Sequence, residues 1–279
     1  MDYLGPIREM KILLTGANGY LGTKISQQLK ERKIQFNSNT FDLLNFKDLN
    51  YIIKLYKPDC IIHCAAMVPK NNQDYLDENI SRKNTEMVKN LIKTKISHIV
   101  FTSSMTVYKY KNEETTNEND IDLNLTGYAK GKKDSEDLLI NSSIRTTILR
   151  LPGIFGKPRK NGIVYNYIKS KVQDENFIFS DNYPLWGSIH VDDAAHYCIQ
   201  AAFRSLDPKN LILNTGYPDN QSIKIFFNLV NKKLNDKIHF ELTEPNFKMD
   251  IQKLRCFLGK PILEWSDRID QTITEIKND

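Results

Sequence analysis

With 279 residues, 40% of them apolar and 26% charged, the chain has an ordinary globular composition, which excludes a disordered polypeptide. Its net charge of +5 is modest and scattered, and no Lys/Arg run is interleaved with aromatics, so the balance suits a diphosphate-bearing ligand and argues against nucleic acid. No apolar run approaches the roughly 20 residues of a membrane span, and the cysteines at 60, 64, 198 and 256 form no Cys-x2-Cys pair, so they read as free thiols of a cytoplasmic protein.

Residues 1–9 are short and mixed and carry no signal-peptide pattern; Met10 could be an internal start. The apolar run 12–14 predicts a first strand. Gly16, Gly19 and Gly22 follow at Gly-x2-Gly-x2-Gly spacing and lead into a helix over 20–31, with Leu21, Ile25 and Leu29 on one face. Glycines suit a backbone that must turn sharply and then approach a pyrophosphate, which the amide end of the helix attracts. The plainer alternative is a strand-turn-helix that merely needs glycine.

A second strand is predicted at 34–37 and a helix at 45–56, where Leu49, Ile52, Ile53 and Tyr56 share a face before Pro58. Strand 60–64, helix 77–93 (Met87, Val88, Leu91, Ile92 apolar), strand 98–102, helix 128–139 and strand 146–151 complete the alternation. Continuous apolar strands alternating with helices mean an α/β, doubly wound parallel sheet, with the glycine turn at the carboxyl edge of a central strand. The acidic stretch 112–122 reads as solvated. The pattern becomes less regular after Gly156. The predicted division is a dinucleotide-binding domain over 1–155 and a smaller lobe over 156–279, with about 187–203 returning to the main sheet.

Tyr128 and Lys132 stand four apart and share a helix face. A phenol titrates near about 10, and a neighbouring ammonium is expected to lower that value toward working pH, as acid-base chemistry needs. Alone, the pair reads more readily as an exposed face with a stray tyrosine. Thr102-Ser103-Ser104 ends a predicted strand on the same sheet edge as the glycine turn, where a hydroxyl can meet a substrate oxygen. The informative signal is the order: glycine turn, Ser at a later strand end, then Tyr-x3-Lys.

In that order the chain resembles the extended short-chain dehydrogenase/reductase family of epimerases, dehydratases and ketoreductases. Thr15-Gly16-Ala17-Asn18-Gly19-Tyr20-Leu21-Gly22, His63-Cys64-Ala65-Ala66, Ser103-Ser104-Met105-Thr106-Val107-Tyr108 and Tyr128-x3-Lys132 with Glu136 look like its blocks. So do Leu149-Arg150-Leu151-Pro152-Gly153-Ile154-Phe155-Gly156 and Ile189-His190-Val191-Asp192-Asp193-Ala194. The resemblance implies a Rossmann-type sheet with a smaller C-terminal substrate-binding lobe.

It also implies roles. Ser104 would hydrogen-bond the substrate, Tyr128 would be the acid/base, and Lys132 would tune Tyr128 and hold the nicotinamide ribose. Gly16, Asn18, Gly19, Tyr20, Leu21 and Gly22 would bind the pyrophosphate, and Asn37, Asp42 and Leu43 the adenosine end. Ala65, Ala66, Thr102 and Pro152 would flank the nicotinamide half. Met67, Val68, Asn84 (with Asn79 as rival), Met105 and Arg159 would face the substrate, a nucleotide-diphosphate sugar. Members often dimerise through two helices, so a homodimer is among the implied partners.

The departures are specific. Phe36-Asn37-Ser38-Asn39 offers no acid for a ribose diol and no Arg for a 2′-phosphate, although Arg32 and Lys33 are nearby, so NAD and NADP both stand. Lys109 replaces a glycine of the family pattern, and Met105-Thr106 replaces the Asp-Glu pair of the dehydratases, which argues against water elimination. The compact layout of 41–67 resembles the dTDP-4-dehydrorhamnose reductase-like ketoreductases, and Ser-Ser-x-Thr-Val-Tyr looks closer to the epimerases. The expected activity is a nucleotide-sugar 4-keto reductase, with a C4/C5 epimerase and a non-catalytic dinucleotide sensor as alternatives. His190 and Asp192-Asp193 read as a helix start with local hydrogen bonds and not a metal site. His98, His196 and His239 read as structural or solvated, Arg159 and Lys160 as a loop that could equally be solvated, and Trp186 as core.

Overall fold

The strands β1 (Ile12–Thr15) and β3 (Cys60–His63) are buried at every position, as strands covered on both faces must be. They belong to a computed structural model that describes residues 10–38, 41–109, 115–177, 186–204, 207–218, 222–235 and 247–279. In chain order the elements are β1, α1 (Tyr20–Glu31), β2 (Phe36–Asn37), α2 (Phe46–Tyr56), β3, α3 (Glu78–Lys93), β4 (His98–Ser104), β5 (Thr115–Thr116), α4 (Gly127–Ile140), β6 (Arg145–Leu151) and β7 (Gly153–Phe155). There follow α5 (Ile163–Val172), β8 (Ser188–His190), α6 (Val191–Phe203), β9 (Asn210–Asn214), α7 (Ile223–Leu234), β10 (Lys248–Met249), α8 (Gln252–Leu258) and α9 (Trp265–Lys277).

Six strands form the main sheet in the order β2-β1-β3-β4-β6-β9. β1 pairs in parallel with β2 and β3, and β3 with β4. This is the α/β doubly wound sheet expected from the alternation. Leu13, Ile61, Ile99 and Ile148 of the strands meet Leu49, Val88, Leu91 and Leu139 of the helices in one apolar cluster. Side chains of this kind contribute about 1.5–3 kcal/mol each on burial. Caps set the helix starts: Asn45 accepts from Lys47 N and Asp48 N before α2, and Asp77 accepts from Asn79 N before α3.

The chain divides into two compact units. The first comprises residues 1–107, 124–149 and 198–212, and the second 108–123, 150–197 and 213–279. The strand that joins the sheet edge from the C-terminal part is β9, whereas the strand inside the expected 187–203 segment, β8, pairs with β7. Leu211-Ile212-Leu213 gives β9 the apolar run of a five-residue strand, and β8 has only three residues.

The second unit holds an aromatic core. Tyr167 lies 4.1 Å from Phe227 between ring centroids, and Trp186 lies 5.6 Å from Phe226, so Trp186 is a packing residue. Arg150, 1% exposed, donates to Tyr108 Oη at 3.0 Å and to Glu118 O at 2.6 Å. Glu118 in turn accepts from Asn214 N at 3.1 Å. Asp192 and Asp193 lie in the first turn of α6 and Asp192 N donates locally to His190 Nδ1 at 3.3 Å, as expected, but the Asp193 carboxylate departs from the local reading. Asp193 is fully buried, receives Arg268 Nε and Nη2 at 2.8 and 3.0 Å, Tyr217 Oη at 2.7 Å, and Ile262 N at 2.8 Å. Four long-range donors, not a helix cap, explain its carboxylate.

Removing one partner from a buried pair leaves the other charge uncompensated. Asp193→Ala should therefore cost about 3–5 kcal/mol in urea unfolding, and Tyr217→Phe about 1.5–3 kcal/mol for one bond to a charged acceptor.

Candidate active site

The chain leaves β1 through Gly16, whose φ of +76° lies in the left-handed region. A Cβ there would stand 2.5 Å from Ala65 N, and a Cβ on Gly22 would stand 2.0 Å from Gly16 O. The turn is thus closed backbone on backbone, against the segment after β3 on one side and α1 on the other. Gly19 N donates to Gly16 O at 2.9 Å, and Gly19 starts α1 with no side-chain cap. Asn18 and Gly19 are exposed, while Tyr20 and Leu21 are half-buried at the helix start. A diphosphate suits such a glycine cradle at a helix's positive end.

Asn37 ends β2 half-buried, and Asn39 lies outside the described residues. The Asp42 carboxylate accepts from Leu44 N at 2.9 Å in a local turn. Leu43 is 6% exposed within the apolar cluster, so its side chain serves the core. Asn90 Nδ2 donates to Leu43 O and Leu44 O at 3.0 and 3.2 Å, which fixes this corner.

After β3, Ala65 and Ala66 are half-buried, and Met67 and Val68 are exposed. Met67 N donates to Asn84 Oδ1 at 2.8 Å and Met67 O accepts from Asn84 Nδ2 at 3.0 Å. Asn84, expected to face substrate, is instead 4% exposed and holds this segment in place with both ends of its amide. Asn79 sits at the start of α3 and accepts from Arg82.

The end of β4 carries the hydroxyls. Thr102 Oγ1 donates to His63 O at 3.1 Å, and Ser103 Oγ donates to Glu136 Oε1 at 2.5 Å. Ser104 Oγ accepts from Thr106 N at 3.2 Å and Thr106 Oγ1 at 3.0 Å. With its oxygen filled as an acceptor twice, the Ser104 hydroxyl is set to donate its own proton. Met105 is half-buried in the 3-10 turn Met105–Val107.

α4 presents Tyr128, Lys132 and Glu136 on successive turns. Gly131 lets α3 come close, since a Cβ there would fall 2.7 Å from Ser81 Cα. Lys132 is 3% exposed and donates to Thr102 O at 2.8 Å, with Nζ 4.9 Å from the Phe101 ring centroid and 5.7 Å from that of Tyr128. Burial lowers Lys132 to about 8 against the opposing pull of Cys64 and Glu136. Tyr128 is 8% exposed and meets Tyr75 edge-on at 5.9 Å. Its phenol is raised, by burial first and Tyr75 second. The expected lowering by Lys132 is absent because desolvation dominates. The arrangement can give a proton from Tyr128 and a hydrogen bond from Ser104.

His63 shares a 2.7 Å hydrogen bond between Nδ1 and Thr15 Oγ1, and stacks on Phe101 at 5.7 Å. Burial, and then the charge of Lys132, lower it to about 3. The Thr15–His63 and Ser103–Glu136 bonds were not expected, because nothing in the local pattern pairs residues so distant in the chain. Pro152 and Arg159 lie in the second unit. There Pro152 is buried between β6 and β7, and Arg159 is exposed, bonded to Asn161 and, at 3.3 Å, to Ile154 O.

The RmlD substrate binding domain model matches residues 10–212. Methionine adenosyltransferase 2 subunit beta of Rattus norvegicus is 27% identical over 220 residues, covering 72% of this chain and 65% of that protein. The dTDP-4-dehydrorhamnose reductase of Aggregatibacter actinomycetemcomitans is 27% identical over 200 residues, covering 69% of this chain and 67% of that one. The chain therefore spans about two thirds of the length of these relatives, and 65% of the first. UDP-glucose 4-epimerase of Thermotoga maritima, solved with UDP-glucose, superposes with a TM-score of 0.77 at 17% identity, covering 96% of this chain and 99% of that one. WbmG of Bordetella bronchiseptica in complex with NAD gives 0.78 at 15%, covering 97% and 95%. Both structures share the fold.

His63 and His98, each lowered to about 3 chiefly by burial, stay neutral when folded and gain a proton on unfolding below about 6.5. Stability should therefore fall as pH drops from about 6.5 toward 3, by up to about 1.4 kcal/mol per pH unit for each ring. Urea unfolding across that range reads the slope, and His63→Gln should reduce it. Asn84→Ala should cost about 1–3 kcal/mol and speed hydrogen exchange at Met67 N.

Proposed function

We infer the function from one premise: the chain belongs to the RmlD substrate binding domain family, within the extended short-chain dehydrogenase/reductase type. It is an NAD(P)-dependent oxidoreductase acting on a nucleotide-diphosphate sugar, and its reaction is reduction of a 4-keto group. The observation that carries this reading is the placement of Tyr128 and Lys132, both buried on successive turns of α4, with Lys132 Nζ 5.7 Å from the Tyr128 ring centroid and 2.8 Å from Thr102 O at the end of β4. A protonated phenol so placed is a donor for a developing alkoxide.

The glycine cradle supports the cofactor assignment, since a Cβ at Gly16 or Gly22 would collide with backbone. Gly16, Asn18, Gly19, Tyr20, Leu21 and Gly22 would hold the pyrophosphate, with Asn37 and Asp42 toward the adenosine. Ala65, Ala66 and Thr102 would lie toward the nicotinamide. When bound, NAD(P)H supplies the hydride. Lys132 uses one of its three donors on Thr102 O, which leaves donors for a ribose hydroxyl. Ser104 donates to the substrate oxygen and Tyr128 delivers the proton to it, while the Lys132 ammonium stabilises the negative charge that develops. Met67, Val68 and Met105 would line the sugar side.

A second reading has its own support. Several relatives at 27–28% identity are named as the beta subunit of methionine adenosyltransferase 2, which favours a dinucleotide-binding subunit that senses cofactor and binds a partner.

The test mixes the protein with NADPH or NADH and a panel of nucleotide 4-keto sugars and follows the reduced cofactor. Its stoichiometric loss supports the reductase; sugar interconversion without net oxidation would replace it by the epimerase. Dinucleotide binding with neither reaction would favour the sensor. Tyr128→Phe should lower turnover by about 10²–10⁴-fold and leave dinucleotide affinity in place. Because Lys132 titrates at about 8 and acts as an ammonium, the rate should hold below that pH and decline as pH rises through it.

A further inference from the structure

We propose that Asn161 is a self-modification site: its side-chain amide is lost to attack by the backbone nitrogen of Gly162, assisted by Arg159 and completed by water. An Asn-Gly step is where this chemistry is least hindered, because glycine has no Cβ to obstruct ring closure and its backbone turns freely. The chain contains two such steps, Asn18-Gly19 and Asn161-Gly162.

The fold treats the two steps differently. In the first unit, Gly19 N donates to Gly16 O at 2.9 Å, and Gly19 is the residue from which α1 starts. The nitrogen that would have to attack Asn18 is thus committed to a turn whose glycines are closed backbone on backbone. In the second unit, Gly162 is exposed with φ +89°, and a Cβ on it would meet no described atom within 4 Å. Asn161 is exposed as well, and its Oδ1 accepts from Arg159 Nε. A guanidinium on that oxygen withdraws electrons from Cγ and stabilises the negative charge that the oxygen gains when Cγ is attacked. Arg159 is held in place for this: its backbone N donates to Gly156 O at 3.1 Å, and Nη1 to Ile154 O at 3.3 Å.

The chemistry balances with water as the only co-reactant. The bond from Gly162 N to Asn161 Cγ forms and the Cγ–Nδ2 bond breaks. Nδ2 leaves as ammonia with the proton that Gly162 N gives up, and a succinimide remains. Water then adds to either carbonyl of that ring and opens it, giving aspartate or isoaspartate; nothing is oxidised or reduced. The new carboxylate stands beside Arg159 and just before α5, a helix with no side-chain cap and no acid in its first turn. Negative charge is favoured there, so the modified chain keeps its fold while its net positive charge falls by one. This proposal does not depend on the reaction the protein catalyses.

The test incubates the full chain, folded, in neutral buffer for days and follows both asparagines by peptide mass mapping, with isoaspartate scored by enzymatic methylation. Asn161 should convert about tenfold faster than Asn18, whose step the fold protects. In urea, where neither step is held, the two should convert at similar rates. Arg159→Ala, at an exposed position, should slow Asn161 severalfold and leave Asn18 unchanged. Asn161→Asp should unfold in urea at the wild-type midpoint or above it. Folded wild-type protein in which Asn161 converts no faster than Asn18 would overturn the proposal, and this comparison needs no variant. An Arg159→Ala chain that loses the Asn161 amide at the wild-type rate would overturn the assisted mechanism, and a lowered midpoint for Asn161→Asp the tolerated product.

Discussion

A buried ammonium shapes everything around it in the first unit. Lys132 is 3% exposed, so its charge must be compensated from within. Thr102 O takes one of its protons, the Phe101 face lies beneath it, and Glu136 and Cys64 oppose the cost of burial. The same charge helps keep His63 neutral. Neutral His63 shares a hydrogen bond with Thr15 at the end of β1, and its carbonyl receives Thr102 at the end of β4. Three neighbouring strands are thereby tied at their carboxyl ends by polar bonds.

Tyr128 is set by a different force. Its phenol is dry and faces Tyr75, so removing its proton there is unfavourable. Lys132 and Tyr128 share a helix face, yet the nearby cation does not control the phenol in this state. An i, i+4 spacing establishes adjacency. It does not say which of two opposing terms, desolvation or attraction, is larger.

That distinction separates what could be read in the chain from what could not. The strands at 12–15, 60–63 and 98–104 were visible because both faces are buried and the residues are continuously apolar. The glycine turn was visible because Gly16 must adopt a positive φ against Ala65. β9 was not placed, although Leu211, Ile212 and Leu213 carry the pattern, because the preceding alternation becomes irregular. The partners of Asp193 and Asn84 were also beyond reach. Each bonds residues far along the chain, and a short polar side chain looks the same in sequence whether it caps a helix or bridges two segments. Asn84 was expected to face substrate, and its amide bonds the backbone of Met67.

Gly131 carries a consequence for variation within such proteins. With no side chain between Ser81 and α4, the height of that helix over the sheet is gauged by backbone contact, and α3 acts as a fixed stop. Substitutions elsewhere along α3 can alter its polarity or solubility without shifting Tyr128 and Lys132 along their axis. Variation among the exposed residues around Met67 and Val68 would then leave the spacing of Tyr128 and Lys132 unchanged.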